Sequence, residues 1–522
     1  MKTLVVTGTL AYGIVRKYVE ESGVEAEVVS LPTQVAALMS IGYISDMLRS
    51  RDISKFRLVL VPGLVAGDVS HIAERLGIPT YKGPKQIADL PLVLQQLGEV
   101  RLSTTRPACE LFQNLLKREA LRQLDLLRRK TRRIAGKKLG IQIGKGRKAI
   151  WIGPSFPPCV LAEIVDASTL SRSELIRKAR SFVESGAEII DVGMVAGGGN
   201  PLKAKLAVKS VREVVSTPVS IDTSDAEEIR AAVEAGVDLI LSINAENMKD
   251  VSEFANKTPV VVTPADEKRN CPTQVDKKIE QLERNLKQAK QLGFKKLIAD
   301  PILTPIFTPN LTESLVAYYR FKERNPDIPI MFGAGNVTEL MDGDSIGANL
   351  LLASIAYDLN ANIVLTTEAS NKTVGCVREL STGIKMAMLA RERASAPKDL
   401  GLDLLVIKEK RRREEHYERA IQKYAREISA RKREFVYDPT GCFKVAVDRD
   451  RRCLVASHYK YDRDKPDVVV KGREPLEICT TIIEKRLISR LDHAAYLGRE
   501  LTKAEIALQT GKSYVQDDAL LF

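Results

Sequence analysis

Eight polar side chains recur at one kind of position in the middle of the chain, and together they could grip a ligand. Each follows a short apolar run: Asp166, Asp191, Asp222, Asn244, Thr263, Asp300, Asn336 and Glu368. No histidine or cysteine stands among them, so the set offers no activated nucleophile. Carboxylates and carboxamides suit a heterocycle rich in N–H groups instead. A carboxylate accepts two parallel hydrogen bonds from an amino-pyrimidinone edge, and an amide donates and accepts at once. Any single one of these residues serves equally well as a loop cap, whereas eight in series point to a common mouth.

The elements that must position them repeat. Ser185-Gly186-Ala187-Glu188-Ile189-Ile190-Asp191 recurs in type as Ala235-Gly236-Val237-Asp238-Leu239-Ile240-Leu241-Ser242-Ile243-Asn244, and again from Leu292 to Asp300. In each copy a helix ends at glycine, a natural C-cap, and a fully apolar strand follows. Between and around the copies lie Pro218–Asp222, Pro259–Thr263, Val160–Asp166, Pro329–Asn336 and Asn362–Glu368. Eight strands alternating with helices over residues 151–395 specify a (β/α)₈ barrel, in which the strands' C-terminal ends carry the chemistry.

The chain's 522 residues are too many for one hydrophobic core, so further units are expected beside the barrel. Residues 1–110 read as a small doubly wound α/β domain, with strands at Leu4–Thr7, Ala26–Leu31, Leu58–Pro62 and Pro79–Tyr81 and helices at Val35–Arg49 and Val69–Leu76. Its turns carry Thr7-Gly8-Thr9, Pro62-Gly63-Leu64 and Lys82-Gly83-Pro84, at ends where open α/β sheets bind ligands. No Gly-x-Gly-x-x-Gly follows, so tight turns are the plainer reading. A basic helix, Leu111–Arg133, and a glycine-rich turn, Gly140–Gly146, make 111–150 a linker. Residues 396–435 form a second linker around a charged helix, Glu409–Arg433. Residues 436–522 are expected to be a small α+β domain, with strands Phe443–Val447 and Leu454–Tyr459 and helices near Ile478–Leu487 and Ala494–Leu508.

The seven cysteines and four histidines show no ligand spacing, which argues against disulfides, zinc and clusters, so no metal is expected from them. The net charge of +13 sits largely in the two linker helices; with 5% aromatics and no recognisable module, nucleic acid is not the expected partner. No apolar run reaches membrane-spanning length, and the first residues read as a strand, not a signal peptide, so a cytoplasmic protein is expected.

Taken in order, Asp191-Val192-Gly193, Ser220-Ile221-Asp222-Thr223, Ile243-Asn244 and Asp300-Pro301 resemble the signature shared by dihydropteroate synthases and methyltetrahydrofolate methyltransferases. The resemblance implies that Asp191, Asp222, Asn244 and Asp300 bind a reduced pterin, with Asp300 on its aminopyrimidinone edge. Asp166, Glu368 and Lys372 are secondary candidates; Lys372 and Lys203, in barrel loops, are either phosphate contacts or surface lysines. The synthase branch would carry Asn-Val-Thr-Pro-Asp-Ser-Phe where this chain has Asp166-Ala167-Ser168-Thr169-Leu170. It would also carry Arg-x-His where this chain has Thr366-Thr367-Glu368. Gly333-Ala334-Gly335-Asn336 is similar to the methyltransferases' Gly-Leu-Ser-Asn, which makes Asn336 the candidate catalytic residue at the pterin N5, or else a turn asparagine.

Across the whole chain the arrangement resembles an archaeal-type dihydropteroate synthase-related family tied to tetrahydromethanopterin metabolism. Val35–Leu38, Gly83-Pro84-Lys85, Asp342–Asn349, Thr367–Ser370 and Asp492–Leu501 carry that likeness. His493 in the last of these is a ligand or, as such residues usually are, a core or capping histidine. The resemblance implies a transferase using a tetrahydromethanopterin- or tetrahydrofolate-type pterin in one-carbon metabolism, chiefly for methyl transfer. Two alternatives stay open: condensation of a pterin pyrophosphate with a modified arylamine, and a non-catalytic pterin-binding scaffold. Asp-x-His-x-x-Gly is absent, so an acceptor would be a separate corrinoid protein, another protein or a small molecule. The family analogy implies a homodimer through barrel helices.

Overall fold

The computed structural model describes residues 2–520 apart from 86, 99, 136–139, 410–423 and 432–433. It divides into two units, Met1–Glu415 and His416–Phe522.

In the first unit, β1 (Thr3–Gly8), β2 (Ala26–Leu31), β3 (Leu58–Val61) and β4 (Thr80–Lys82) form a parallel sheet in the order β2-β1-β3-β4. Every residue of β1 and β3 is buried, as a strand covered on both faces requires. Leu4, Val6 and Val59 pack on one side with Ile44 and Leu48, and Val5, Leu58 and Leu60 on the other with Val15 and Val19. The helix expected over Val35–Arg49 is broken. A short 3₁₀ turn, Ala36–Leu38, precedes a helix at Ile41–Arg49, because Ser40 takes an extended backbone and caps the helix through Tyr43 N.

The long helix Ala108–Ala135 follows. Gly140–Gly146, expected as a linker turn, instead belongs to an antiparallel hairpin, β5 (Ile141–Ile143) and β6 (Ile150–Ile152). Its Ile143 and Ile152 are fully buried against the barrel interior, which gives this segment a reason to order.

The barrel strands are β7 (Cys159–Ile164), β8 (Ile189–Gly193), β9 (Val219–Asp222), β10 (Leu239–Ile243), β11 (Val260–Val262), β12 (Leu297–Ala299), β13 (Met331–Gly333) and β14 (Ile363–Thr367). They pair in parallel from β12 back to β7 and on through β14 to β13, and a bridge between Ala299 and Ile330 closes the ring. Gly186, Gly236 and Gly293 sit at helix ends with φ of 103°, 91° and 95°, a region that favours glycine. Leu161, Ile189, Leu239, Leu241, Val261, Ile298, Met331, Ile363 and Leu365 fill the interior. Truncating one of them, such as Ile189 to alanine, would cost about 2–5 kcal/mol.

In the second unit, β15 (Cys442–Asp448), β16 (Cys453–Tyr459) and β17 (Val468–Gly472) form an antiparallel sheet. Helices Pro475–Glu484 and Leu491–Thr510 cover one face, where Phe443, Val445, Leu454 and Ala456 meet Ile478, Ile482, Leu497 and Leu501. The edge strand β17 was not expected from sequence; none of its residues is fully buried, so its apolar alternation is weak. Most of the charged helix expected at Glu409–Arg433 lies outside the described residues, and residues 424–431 form no α-helix.

Candidate functional site

Strand alternation builds the mouth. Cys159 and Leu161 point into the barrel, so two residues on Glu163 does too. It is paired in register with Asp191, which in turn pairs with Ser220. Glu163, Asp191 and Asp222 each place a carboxylate oxygen within 4.8 Å of the others. Asp191 is wholly buried; its Oδ1 accepts from Ser220 Oγ at 2.5 Å, and its Oδ2 has no hydrogen-bond partner among the described residues. Asp222 Oδ1 accepts from Ser242 Oγ at 2.6 Å.

Three carboxylates this close cannot all be charged without a counter-charge. Burial, then the neighbouring charges of Asp222, Asp166 and Glu339, push Glu163 up to about 7. Burial and the charges of Asp222 and Glu163 raise Asp191 well above the carboxylate range, and burial raises Asp222. The cluster therefore holds protons near neutral pH. By its oxygen donors and spacing the same trio suits a hard divalent cation.

A bulge decides the next residue. Plain alternation from Leu239 and Leu241 would turn Ile243 inward and Asn244 outward. Instead Ser242 takes φ of 62° and the register between β10 and β11 shifts there, leaving Ile243 in the outer core. Asn244 is buried, its Oδ1 accepting from Glu246 N at 2.9 Å and its backbone N donating to Asn247 Oδ1 at 3.0 Å. Asn247 holds the bulge by donating to the Ser242 and Ser224 carbonyls.

Asp300 follows β12. Its Oδ1 accepts from Tyr318 OH at 2.7 Å and Ile302 N at 2.8 Å, whereas Oδ2 accepts nothing among the described residues. Burial pushes this carboxyl up to about 6, against the pull of those two bonds and of the Lys278 charge; Asp222 adds to the rise. Lys278 is itself buried, with Nζ 3.5 Å from the Ile302 carbonyl. Asn336 opens the short helix after β13, and its Nδ2 donates to the Leu303 carbonyl at 2.9 Å, tying it to the loop that follows Asp300.

The structure thus brings Asp191 and Asp222 together, sets Asp300 within electrostatic reach of Asp222 and links Asn336 to the Asp300 loop. The secondary candidates are not part of this cluster, although the charge of Asp166 reaches Glu163. Asp166 is exposed on a turn beyond β7, with φ of 51°. Glu368 accepts from Val377 N at 3.2 Å at the start of helix Cys376–Glu392. Lys372 pairs with the exposed Asp342 at 2.9 Å. Sequence reasoning missed Glu163 by reading the first strand to its last acidic residue; counting alternate positions from Leu161 would have found it. Lys278 lies in the first turn of helix Val275–Gln291 and carried no signal. In the second unit, His493 donates through Nδ1 to Asp438 at 3.0 Å, as a partly buried structural histidine.

Residues 164–378 match the family described as "Pterin binding enzyme", residues 437–517 one described as "PterinBD-DUF4346", and residues 2–85 a family of unknown function, DUF6513. The chain is 36% identical over 535 residues to the "Uncharacterized protein MJ0107" of Methanocaldococcus jannaschii, covering 99% of this chain and 98% of that one. A Ycf91-like protein of Nostoc is 38% identical over 105 residues, spanning 15% of this chain and 83% of its own. Among solved structures, Xanthomonas albilineans dihydropteroate synthase aligns with TM-score 0.40 at 15% identity, covering 49% of this chain and 98% of its own. The Yersinia pestis enzyme with a pterine-sulfa conjugate aligns at 0.40 and 16%, covering 48% and 100%.

Proposed function

This chain belongs to the pterin-binding, dihydropteroate synthase-like family, and from that premise we propose that the mouth of its barrel binds a reduced methyl-pterin and passes the methyl group to an acceptor. The observation that carries the reading is Asp300. One of its oxygens is held by Tyr318 and Ile302 while the other accepts no bond among the described residues, so its orientation is fixed before a ligand arrives. An aminopyrimidinone edge offers two parallel N–H groups to such a carboxylate.

Methyl transfer breaks the N5–CH₃ bond and leaves its electron pair on N5, which then needs a proton. Glu163, pushed up to about 7, holds one at the mouth near neutral pH, the range in which a general acid works best. Asn336 would hydrogen-bond N5 and stabilise the charge that develops there. Tetrahydromethanopterin and tetrahydrofolate types both present this ring, and the acceptor is a separate corrinoid protein, another protein or a small molecule. One feature favours the condensation chemistry as a second reading: the buried Lys278 supplies a cation near Asp300 that a departing pyrophosphate would need.

The test is fluorescence titration of the full chain with reduced pterins. Asp300→Asn should weaken binding by about 10- to 100-fold, the loss of a charged hydrogen-bonding pair. Unchanged affinity would end the proposal. Pyrophosphate release from a hydroxymethyl-dihydropterin pyrophosphate with arylamines, in place of methyl transfer, would move the assignment to condensation.

A further inference from the structure

The small sheet at the start of the chain contains a cavity that the barrel chemistry does not use. The strand order β2-β1-β3-β4 reverses direction between β1 and β3, and open α/β sheets bind ligands outside the carboxyl ends of strands at such a switch point. A cavity of about 180 Å³ lies there, lined by Val5, Thr7, Ala37, Leu60, Gly63 and Lys85 among others. That is close to the size that admits one six-membered ring, as an apolar cavity of about 150 Å³ accepts benzene.

One polar side chain lines this apolar space and a helix N-terminus borders it. Alternation along β1 puts Thr7 on the same face as Val5; it is only 3% exposed and lines the cavity. No side-chain hydrogen bond of Thr7 is found among the described residues, so its hydroxyl is left to meet a ligand in the cavity it lines. Beside it the helix Tyr12–Ser22 begins at Ala11, also in the lining, with no side-chain cap and no acidic residue in its first turn. Its free N–H groups and the positive end of its dipole favour an anion. Lys85 stands at the rim, 2.7 Å from Glu110. The loops are built for this space. A Cβ on Gly63 would lie 2.4 Å from the Gly83 carbonyl, so the β3 and β4 turns close on each other only because Gly63 lacks a side chain.

We propose that this crevice is a second ligand site, specific for a ring-sized apolar molecule bearing one anionic group, a carboxylate or a phosphate. The ring occupies the space between Val5, Leu60 and Ala37. The anion accepts from Thr7 Oγ1 and the first-turn N–H groups of the helix.

Calorimetric titration of the full chain with benzoate, phenyl phosphate, benzyl alcohol and inorganic phosphate tests this directly. Benzoate or phenyl phosphate should bind once per chain, and which of the two is tighter names the anion. Benzyl alcohol and inorganic phosphate, each lacking one half of the ligand, should bind at least tenfold more weakly. Thr7→Val, nearly isosteric, should weaken binding about five- to tenfold, and Ala37→Phe, which fills the space, should abolish it. Asp300→Asn should leave it unchanged, which separates this site from the barrel. The proposal is overturned by the absence of saturable binding, by equal binding of inorganic phosphate, by indifference to both N-terminal substitutions, or by loss of binding in Asp300→Asn.

Discussion

Glu163→Gln should stabilise the protein above neutral pH and leave it unchanged in mild acid. The carboxyl's rise from an ordinary 4.5 to about 7 means that the folded chain holds this proton more tightly than the unfolded one. Its contribution is therefore favourable to the folded state below about pH 4.5, declines as pH climbs towards 7, and is fully lost above that. At about 1.4 kcal/mol per pH unit the difference amounts to about 3 kcal/mol. Glutamine has the shape and hydrogen-bonding capacity of the protonated acid but never ionises. For a unit the length of Met1–Glu415, an unfolding entropy of ~2 cal/mol/K per residue converts that energy into a rise of about 3 °C in Tm. Scanning calorimetry at pH 4 and pH 8 reads it: a gain at pH 8 only. If Glu163→Gln lowers Tm by the same amount at both values, the carboxyl is ionised and compensated in the folded protein, and the account of a proton-holding cluster is wrong.

Asn336→Ala should reduce kcat for methyl transfer from a 5-methyl-tetrahydropterin to free cob(I)alamin about 100-fold with little change in KM; a rise in KM alone would reassign Asn336 to binding. Asp438, almost fully buried, accepts from Thr440, Ser489, Arg490 and His493. Burial alone would raise its carboxyl, but those bonds hold it far below the usual range, so its contribution is present above about pH 4 and persists deep into acid. Asp438→Asn should destabilise the His416–Phe522 unit by about 2–4 kcal/mol at neutral pH, visible as an earlier unfolding transition; an unchanged transition would refute the capping role. Lys372→Ala removes an exposed pair and should shift stability by less than about 0.5 kcal/mol and pterin affinity not at all, which titration can check.

Sequence alone determined that an eight-fold strand–helix alternation exists and that its strands end in acids and amides. Both follow from local rules: apolar runs too uniform for a one-sided sheet, glycines where helices must stop, and polar residues where strands leave the core. It also separated the flanking α/β and α+β segments by their own periodicities. Tertiary structure decided which polar ends share a pocket. Glu163 entered the cluster because side chains alternate in facing along β7, and Asp166 stayed out because it lies past the strand on an exposed turn. The bulge at Ser242, a departure from alternation that Asn247 holds in place, sent Ile243 to the outer core and buried Asn244 in the turn that follows. Glu368 and Lys372 went to a helix cap and a surface pair because nearby groups across the fold offered them partners. The protons of the central carboxylates have the same origin: each acid is ordinary in the chain, and only the approach of three of them in a buried space makes ionisation costly.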